Sequence, residues 1–258
     1  MICLVDMEHR QAVRQGAPCP DSASQSLQGP ALHRAFCDDI RRRIERISNQ
    51  ECVVRRYHDV TQAWLDGAGV RALILSGNVT DWDLYDERRL QPLREIVRDG
   101  SLPVLGLCGG LQFIAMVHGA AVGPIRELER GELDPDDTYA SGYFKEWGFT
   151  PLRVVRSDPL FDGLESPVFL EAHYWEVKSV PAGFELLAST DACRVQALRR
   201  GGTLVYGTQF HPEAYITKPS HRDNCLVKLV YPTGYPRTQP DGRRCLANFF
   251  RAVADCRR

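Results

Sequence analysis

Two short segments of this 258-residue chain carry side chains that could perform covalent catalysis. The first, PVLGLCGGLQFIAMVHG at 103–119, places Cys108 among glycines, between an apolar run and an apolar helical pattern. A sharp turn from a strand into a helix exposes its central side chain, and the free N–H groups of the new helix stabilise an anion there. Such a turn favours a nucleophilic thiolate. A tight turn that only happens to contain a small apolar residue is the alternative interpretation.

The second segment, TLVYGTQFHPEAY at 203–215, supplies the base that a cysteine nucleophile needs. An apolar strand runs into His211, and Glu213 follows after the bend at Pro212, close enough to hydrogen-bond the imidazole. A nucleophile, a base and a group that orients the base together form a triad. Because both segments occur in one chain, we predict that Cys108, His211 and Glu213 are catalytic, rather than that His211 is a solvated loop residue beside an acid.

The elements that must position these side chains follow from the apolar pattern. Apolar runs predict strands at 2–7, 52–60, 70–78 and 102–107. Amphipathic patterns predict helices at 31–48, 86–100 and 110–118. Continuous apolar strands that alternate with helices imply an α/β fold with a mostly parallel central sheet flanked by helices. Functional groups gather at the carboxyl ends of such strands, which is where Cys108 and the turn after the third strand lie.

The second half of the chain has a different pattern. Short apolar stretches separated by Gly, Pro and Asp turns predict a smaller mixed or antiparallel sheet, and CLANFFRAVADC at 245–256 predicts a closing helix. Irregular segments at 8–30, 126–148 and 216–242 predict loop insertions, since connections of that length are usually functional or disordered. We expect one domain over 1–258.

Composition excludes several other classes of function. The chain has 32 basic and 33 acidic residues and a net charge of −1, so we expect neither a nucleic-acid nor a membrane partner. No apolar run approaches the roughly 20 residues that span a bilayer, and MICLVDMEHR resembles a first strand rather than a leader, so we expect a cytoplasmic protein. The nine scattered cysteines suggest reduced thiols, and we expect no metal at His221 and Cys225.

GLCGGLQ together with QFHPE closely resembles the motifs of the class I, or triad-type, glutamine amidotransferase domains. The resemblance extends from the LVD strand near the start to the LANFF helix near the end, and the paired motifs are specific in their order and separation. It implies a flavodoxin-like fold with a mostly parallel sheet between helices and a smaller mixed sheet, in agreement with the apolar pattern.

The resemblance also implies a reaction. Cys108 would attack the side-chain amide of glutamine, His211 would shuttle the proton and release ammonia, and Glu213 would orient His211. Water would then hydrolyse the glutamyl thioester to glutamate. The reaction needs no cofactor and no metal.

The oxyanion hole implied by the resemblance combines the backbone N–H of Gly109 with the turn that contains Gly77 and Asn78. The family commonly has Ser-Gly-Gly-Pro-Gly in this turn, whereas this chain has SGNVTDW. Asn tolerates positive φ better than most residues, so we expect Asn78 to preserve the turn. Val79 and Thr80 depart from the family pattern.

Substrate contacts are implied for two further segments. Gln112 matches the glutamine that follows the family's elbow and contacts the substrate. EAHYWEV at 171–177 resembles the segment that holds the amino-acid end of the substrate, which makes His173, Tyr174 and Trp175 candidates. An aromatic core cluster is the alternative interpretation of these three residues.

Several functions remain open on this scaffold. The first is a free-standing glutaminase that supplies ammonia to a separate synthase, because the chain contains no P-loop or acceptor domain. The second is a hydrolase of γ-glutamyl amides of larger amines, which the unusual turn and the insertions keep open. A transferase of the acyl group to an amine and a non-enzymatic binding relative are further alternatives.

Overall fold

The structure of the protein is a computed structural model that describes residues 1–9, 30–218, 224–233, 235 and 237–256. Most of the predicted insertion at 8–30 therefore lies outside the described residues, and so does His221. The strands, in chain order, are β1 (Ile2–Asp6), β2 (Cys52–Arg56), β3 (Ala72–Leu75), β4 (Val104–Leu107), β5 (Val122–Pro124), β6 (Glu146–Pro151), β7 (Arg153–Val154), β8 (Val168–His173), β9 (Trp175–Val177), β10 (Phe184–Ser189), β11 (Ala197–Arg200) and β12 (Val205–Thr208).

Four of the α-helices of the described residues lie close to predicted helices, whereas the helices Gln62–Ala68 and Cys225–Val230 were not predicted. The α-helices are α1 (Pro30–Ser48), α2 (Gln62–Ala68), α3 (Glu87–Asp99), α4 (Gly109–Val117), α5 (Cys225–Val230) and α6 (Asp241–Asp255). Short 3-10 helices lie at Tyr57–Asp59, Trp82–Leu84, Pro159–Phe161 and Pro212–Ala214. Gly100 ends α3 in the left-handed conformation at φ 72°, which a glycine adopts without the steric cost of a Cβ atom.

The main sheet has eight strands in the order β2-β1-β3-β4-β12-β11-β10-β7. The pairs β1–β2, β1–β3, β3–β4 and β4–β12 are parallel, and the remaining pairs are antiparallel. Two small antiparallel sheets, β5–β9 and β6–β8, lie beside it. The predicted α/β class with a smaller antiparallel sheet is confirmed. The antiparallel strands β7, β10 and β11 extend the main sheet itself.

Both faces of the main sheet are buried, as its continuous apolar strands predict. Along β1, Cys3 and Val5 pack into one hydrophobic cluster together with side chains of α3 and α4. Ile2 and Leu4 point the other way, into a cluster that includes side chains of α1 and α6. The helices therefore cover the sheet on both sides and leave its carboxyl edge, where β4 and β12 end, for the candidate site.

The segment 126–148 is an ordered insertion in this structure. The buried ammonium of Lys145 lies 2.5 Å from Asp134 Oδ1, and a backbone bridge joins Glu127 to Tyr143. An ion pair with one fully buried partner holds a loop more firmly than an exposed pair does. The insertion therefore offers a fixed surface to the strands that it covers.

Within the predicted insertion 216–242, the described residues include α5 and a backbone bridge between Ile216 and Gln239. No helix among the residues that the structure describes is long and apolar enough to cross a membrane. The single-domain organisation over 1–258 stays a prediction.

Candidate active site

Cys108 occupies a strained elbow between β4 and α4. Its φ of 51° and ψ of −107° lie in a region that non-glycine residues rarely adopt, at a cost of roughly 1–3 kcal/mol. The neighbouring glycines make the elbow possible: a Cβ atom on Gly106 would lie 2.4 Å from the carbonyl carbon of Gly110, and one on Gly110 would lie 2.5 Å from the carbonyl oxygen of Leu75. The close packing of helix on strand thus fixes the direction of the Cys108 side chain.

His211 reaches the same edge of the sheet because β12 runs parallel to β4. The register pairs Thr208 with Leu107, so the residues after the two strands emerge side by side. The amide of His211 then donates to the carbonyl of Leu170 at 2.9 Å, which fixes the backbone of the histidine. Two carboxyl strand ends therefore bring the thiol and the imidazole to one place, although they are distant in sequence.

Gly77, after β3, completes this edge. A Cβ atom at Gly77 would lie 3.3 Å from Cε1 of His211 and 3.4 Å from Cβ of Cys108, so its backbone lies against both side chains. Gln209 Nε2 also reaches the thiol, 3.4 Å from Sγ of Cys108. The predicted nucleophile and base are thus neighbours at a site formed by three adjacent parallel strands.

Glu213 engages the other side of the imidazole. Its Oε1 lies 2.7 Å from Nδ1 of His211, and both side chains are buried. Burial alone lowers the pKa of His211, but the Glu213 carboxylate and the Cys108 thiol outweigh it and raise this pKa well above its usual value. The imidazole therefore holds its proton, as a group that protonates a leaving nitrogen must.

The turn after β3 is held by hydrogen bonds that the sequence did not predict. Asn78 is not among the described residues with positive φ; instead, its Nδ2 donates to the carbonyl of Thr80 at 2.6 Å. The expectation that Asn78 preserves the turn through positive φ is therefore wrong. The buried carboxylate of Glu8 also holds the turn, since it accepts from the amide of Val79 at 2.7 Å and from the hydroxyl of Thr80 at 2.5 Å.

The candidate oxyanion donors lie together beside the thiol. A Cβ atom on Gly109 would lie 3.2 Å from the backbone nitrogen of Asn78 and 1.7 Å from its Oδ1, so the two residues are in direct contact. The amide of Val79 is already held by Glu8. The backbone of Gly77 lies against Cys108, and Asn78 contacts Gly109, so the amides of Gly77, Asn78 and Gly109 stay the candidate donors. Glycine at 109 is required because the Asn78 side chain fills the space of a Cβ atom.

Gln112 is buried one turn into α4, and both the oxygen and the nitrogen of its side-chain amide make hydrogen bonds that fix its orientation. Its Oε1 accepts from the indole N–H of Trp82 at 2.9 Å, and its Nε2 donates to the carbonyl of Trp175 at 3.2 Å and to Oε1 of Gln209 at 3.3 Å. The predicted substrate residue thus joins the elbow helix to the turn after β3 and to β9. Trp82 and Gln209 were not predicted as site residues, although Gln209 lies within the QFHPE motif.

His173 points into a buried polar network rather than into open space. Its Nδ1 lies 2.9 Å from the carbonyl of Trp175, and its Nε2 lies 3.1 Å from Glu146 and 3.2 Å from Glu171. Burial opposes its charge, but the two carboxylates raise the pKa of His173 to about 10. Burial raises the pKa of Glu171 to about 7. With both ring nitrogens engaged, His173 holds β6, β8 and β9 together.

Tyr174 belongs to a cluster of three tyrosine rings beside the site, with Tyr139 and Tyr143, which we call the aromatic cover. Its hydroxyl donates to Asp81, and its ring meets the rings of Tyr139 and Tyr143 at centroid distances of 5.4 and 5.7 Å. The two partner tyrosines come from the insertion 126–148, which the sequence did not connect with the site. The indole nitrogen of the neighbouring Trp175 is buried without a hydrogen-bond partner.

A cavity of about 400 Å³ opens beside the thiol. It is lined at one end by Cys108, His211 and Glu213, and further away by side chains of α1, α5 and the insertion 126–148. Gln112 and Trp175 are not among the described residues that line it.

Two groups of described residues have donor atoms within 4.8 Å of one another, as a metal site requires: Asp6 with His33 and Cys37, and Glu146 with His173 and Cys193. Protein donors already satisfy these carboxylates. Arg56 donates to Asp6, and Thr190 and Gln196 donate to Glu146. Neither group therefore needs a cation to balance its buried charge.

The elbow and the histidine motif both lie within the match to one family model. The model of the family "Glutamine amidotransferase class-I" matches residues 33–228. The chain belongs to the class-I glutamine amidotransferase family. The family predicted from the two motifs is thereby confirmed, and so is the predicted enzyme class, a cysteine-dependent glutamine amidotransferase. The roles of the individual residues stay predictions.

Curated relatives of this amidotransferase are GMP synthases. This chain is 33% identical over 150 residues to a glutamine-hydrolyzing GMP synthase subunit of Methanocaldococcus jannaschii. The matched residues cover 58% of this chain and 68% of that protein. The chain is 32% identical over 162 residues to the subunit of the same name from Thermoplasma acidophilum, covering 62% of this chain and 71% of that protein. It is 34% identical over 178 residues to the glutamine-hydrolyzing GMP synthase of Porphyromonas gingivalis, covering 68% of this chain but 30% of that protein.

Solved structures show the same fold. A crystal structure of a GMP synthase subunit from Thermoplasma acidophilum superposes with a TM-score of 0.62 at 24% identity, covering 100% of this chain and 96% of that one. A glutamine amidotransferase from Thermotoga maritima superposes with a TM-score of 0.58 at 14% identity, covering 99% of this chain and 96% of that one.

Proposed function

We propose that the protein hydrolyses the side-chain amide of glutamine through Cys108, His211 and Glu213 and supplies the ammonia to a separate synthase. The observation that carries the proposal is the meeting of the thiol and the Glu213-bound imidazole at the ends of the neighbouring parallel strands β4 and β12. Family membership supports glutamine as the substrate.

The reaction begins when the thiolate of Cys108, whose proton has passed to His211, attacks the side-chain carbonyl carbon of glutamine. Negative charge develops on the carbonyl oxygen, and we assign its stabilisation to the backbone amides of Gly109 and of the turn that contains Gly77 and Asn78. The contacts of Gly77 with Cys108 and of Asn78 with Gly109 support this assignment. A preorganised pair of donors stabilises this charge more than water does, because the donors need no reorientation during the reaction. The strained φ of Cys108 keeps Sγ next to these donors.

His211 completes the first half of the reaction. It gives its proton to the amide nitrogen as the C–N bond breaks, and ammonia leaves while a glutamyl thioester remains on Cys108. The raised pKa of His211 ensures that this proton is present at neutral pH. His211 then accepts a proton from the water that attacks the thioester. The C–S bond breaks, glutamate leaves, and the Cys108 thiolate and the protonated His211 are restored.

The acceptor of the ammonia is proposed from the relatives. Two of them are named as subunits of GMP synthase, and the chain matches 30% of the longer GMP synthase of Porphyromonas gingivalis. A glutaminase domain that resembles one part of such an enzyme is expected to work with a synthase that uses ammonia. The insertion 126–148, which is ordered beside the site, is a surface that such a partner would contact.

The experiment measures ammonia and glutamate released from glutamine by the purified protein, alone and with candidate synthases. We expect Cys108→Ala to abolish release while the far-UV circular dichroism spectrum and the melting temperature show that the fold is retained. Cys52→Ala is a matched control, because Cys52 is buried in the same hydrophobic side of the sheet but lies on the edge strand β2, three strands away from β4. Ammonia release at the wild-type rate by folded Cys108→Ala would overturn the proposal.

A further inference from the structure

The cavity beside Cys108 has the size of a pocket for a whole organic ligand. Its volume is about 400 Å³, and cavities of 300–1,000 Å³ are typical of such sites. A cavity of this size can hold the γ-glutamyl part of a substrate together with a substituent on its amide nitrogen.

Part of the cavity wall is apolar. Six apolar side chains from α1, α5 and β6 line it: Leu32, Phe36, Ile40, Leu226, Leu229 and Trp147. The same cavity is lined by Cys108 and His211. An apolar group attached to the reacting nitrogen would therefore be removed from water on binding, which is favourable.

The charges around the cavity determine which amine fits. None of the described residues that line it is Lys or Arg, and the two histidines that line it, His33 and His211, are paired with Asp6 and Glu213. The carboxylate of an acidic amine therefore finds no unpaired cation among these lining residues. Its acidic side chains are held by other groups. Asp39 lies 3.2 Å from Arg43, and Glu8 accepts from Val79 and Thr80. The cavity therefore suits a neutral, apolar substituent better than an acidic one.

The position of the cavity also separates it from the predicted glutamyl contacts. Gln112 is bound by Trp82, Trp175 and Gln209, and it lies on α4, whereas the apolar walls belong to α1 and α5. If the glutamyl part lies towards Gln112, the nitrogen of its amide faces the cavity across Cys108.

We propose that the Cys108 site also cleaves γ-glutamyl amides whose nitrogen carries an apolar alkyl or aryl group, and that this group lies in the cavity between α1 and α5. The inference rests on the proposed function, because it uses the same thioester chemistry. Cys108 Sγ bonds to the γ-carbonyl carbon, the C–N bond breaks, and His211 protonates the nitrogen, so the amine leaves in place of ammonia. Water then hydrolyses the thioester and releases glutamate.

A homologous series of substrates tests this. Glutamate release is measured for glutamine and for the γ-glutamyl methyl-, ethyl-, propyl- and butylamides, with γ-glutamylglycine as the acidic comparison. Because each buried methylene contributes about 0.8 kcal/mol, we expect kcat/KM to rise about threefold to fourfold per methylene from the methyl- to the butylamide. We expect γ-glutamylglycine to be cleaved at least 10-fold less efficiently than the propylamide. Values of kcat/KM that fall steadily along the alkyl series would overturn the proposal.

Two variants locate the substituent. Leu229→Trp adds bulk to the cavity wall and should lower the ratio of kcat/KM for butylamide to that for glutamine at least 10-fold. Leu133→Trp makes the same exchange at a side chain that is 92% exposed and does not line the cavity, and should leave this ratio unchanged. If Leu229→Trp does not fold, Phe36→Ala widens the same cavity and should raise the ratio for a bulky phenethylamide. If neither cavity variant changes the ratio of kcat/KM for the substituted amide to that for glutamine, the placement of the substituent in the cavity would be contradicted.

The outcomes also distinguish this inference from the proposed function. A wild-type protein that releases ammonia from glutamine through Cys108 but cleaves none of the alkylamides refutes only the inference. A protein in which Cys108→Ala still hydrolyses glutamine refutes the proposed function and the inference together.

Discussion

Replacing Glu213 with glutamine removes one negative charge beside His211 and keeps the size of the side chain. The carboxylate oxygen lies 2.7 Å from Nδ1 of His211 in a buried site. Two unit charges about 4 Å apart interact with about 4 kcal/mol at an effective dielectric constant near 20. Loss of this charge should therefore lower the pKa of His211.

The same loss should slow the reaction, because the imidazolium that protonates the leaving nitrogen is no longer stabilised. Glutamine at 213 retains a neutral hydrogen bond, so we expect a net loss of about 3–4 kcal/mol, which is about 10²- to 10³-fold in kcat/KM. In the wild type, the Glu213 carboxylate raises the pKa of His211. In Glu213→Gln the proton should be lost at lower pH than in the wild type, and the alkaline limb of the pH profile should shift towards acid.

The assay follows ammonia release against pH for the wild type, Glu213→Gln and a matched control. Glu185→Gln makes the same exchange at a surface residue whose partner is Arg156, 2.6 Å away, and should change kcat/KM less than twofold. If Glu213→Gln retained more than a third of the wild-type kcat/KM with an unmoved alkaline limb, Glu213 would not set the charge of His211.

Two further predictions concern stability. Gly110→Ala should lower the free energy of unfolding by at least about 2 kcal/mol in urea denaturation, because the new Cβ would lie 2.5 Å from the carbonyl oxygen of Leu75. Gly67→Ala, a helical site with nothing within 4 Å, should be neutral or stabilising by up to about 1 kcal/mol, and equal effects at both sites would contradict the packing argument. The pKa of Glu171 is raised to about 7, so the native state holds this proton, and stability is lost as pH rises from the unfolded value of the carboxyl group through 7. Glu171→Gln should therefore gain stability relative to the wild type between pH 5 and pH 8, by up to about 3 kcal/mol in thermal or urea unfolding, whereas a difference independent of pH would count against it.

The sequence predicted the parts of the site whose signal is local. The elbow around Cys108 requires glycines within two residues on either side, and those residues are adjacent in the chain. His211 and Glu213 are two residues apart, so their hydrogen bond is also a local property. The alternation of strands and helices follows from apolar periodicity, which is why the α/β class and most bounds agree with the structure.

Other features depended on contacts between distant residues. Nothing near Glu8 in the sequence indicates that it holds the turn of Val79 and Thr80, which are 71 and 72 residues away. The position of Asn78 was misjudged for the same reason: its local preference for positive φ was overridden by a hydrogen bond and by contact with Gly109.

The sequence by itself thus determined which residues are the candidate nucleophile, base and orienting carboxylate, and which strands carry them, because these depend on turn chemistry and on short-range spacing. Only the tertiary structure decided what surrounds them. The aromatic cover over Tyr174 needs the insertion 126–148 to fold back onto β8 and β9, and the apolar cavity needs α1 and α5 to meet beside Cys108. Such surfaces depend on how separate elements pack, and a pattern along one chain segment does not contain that information.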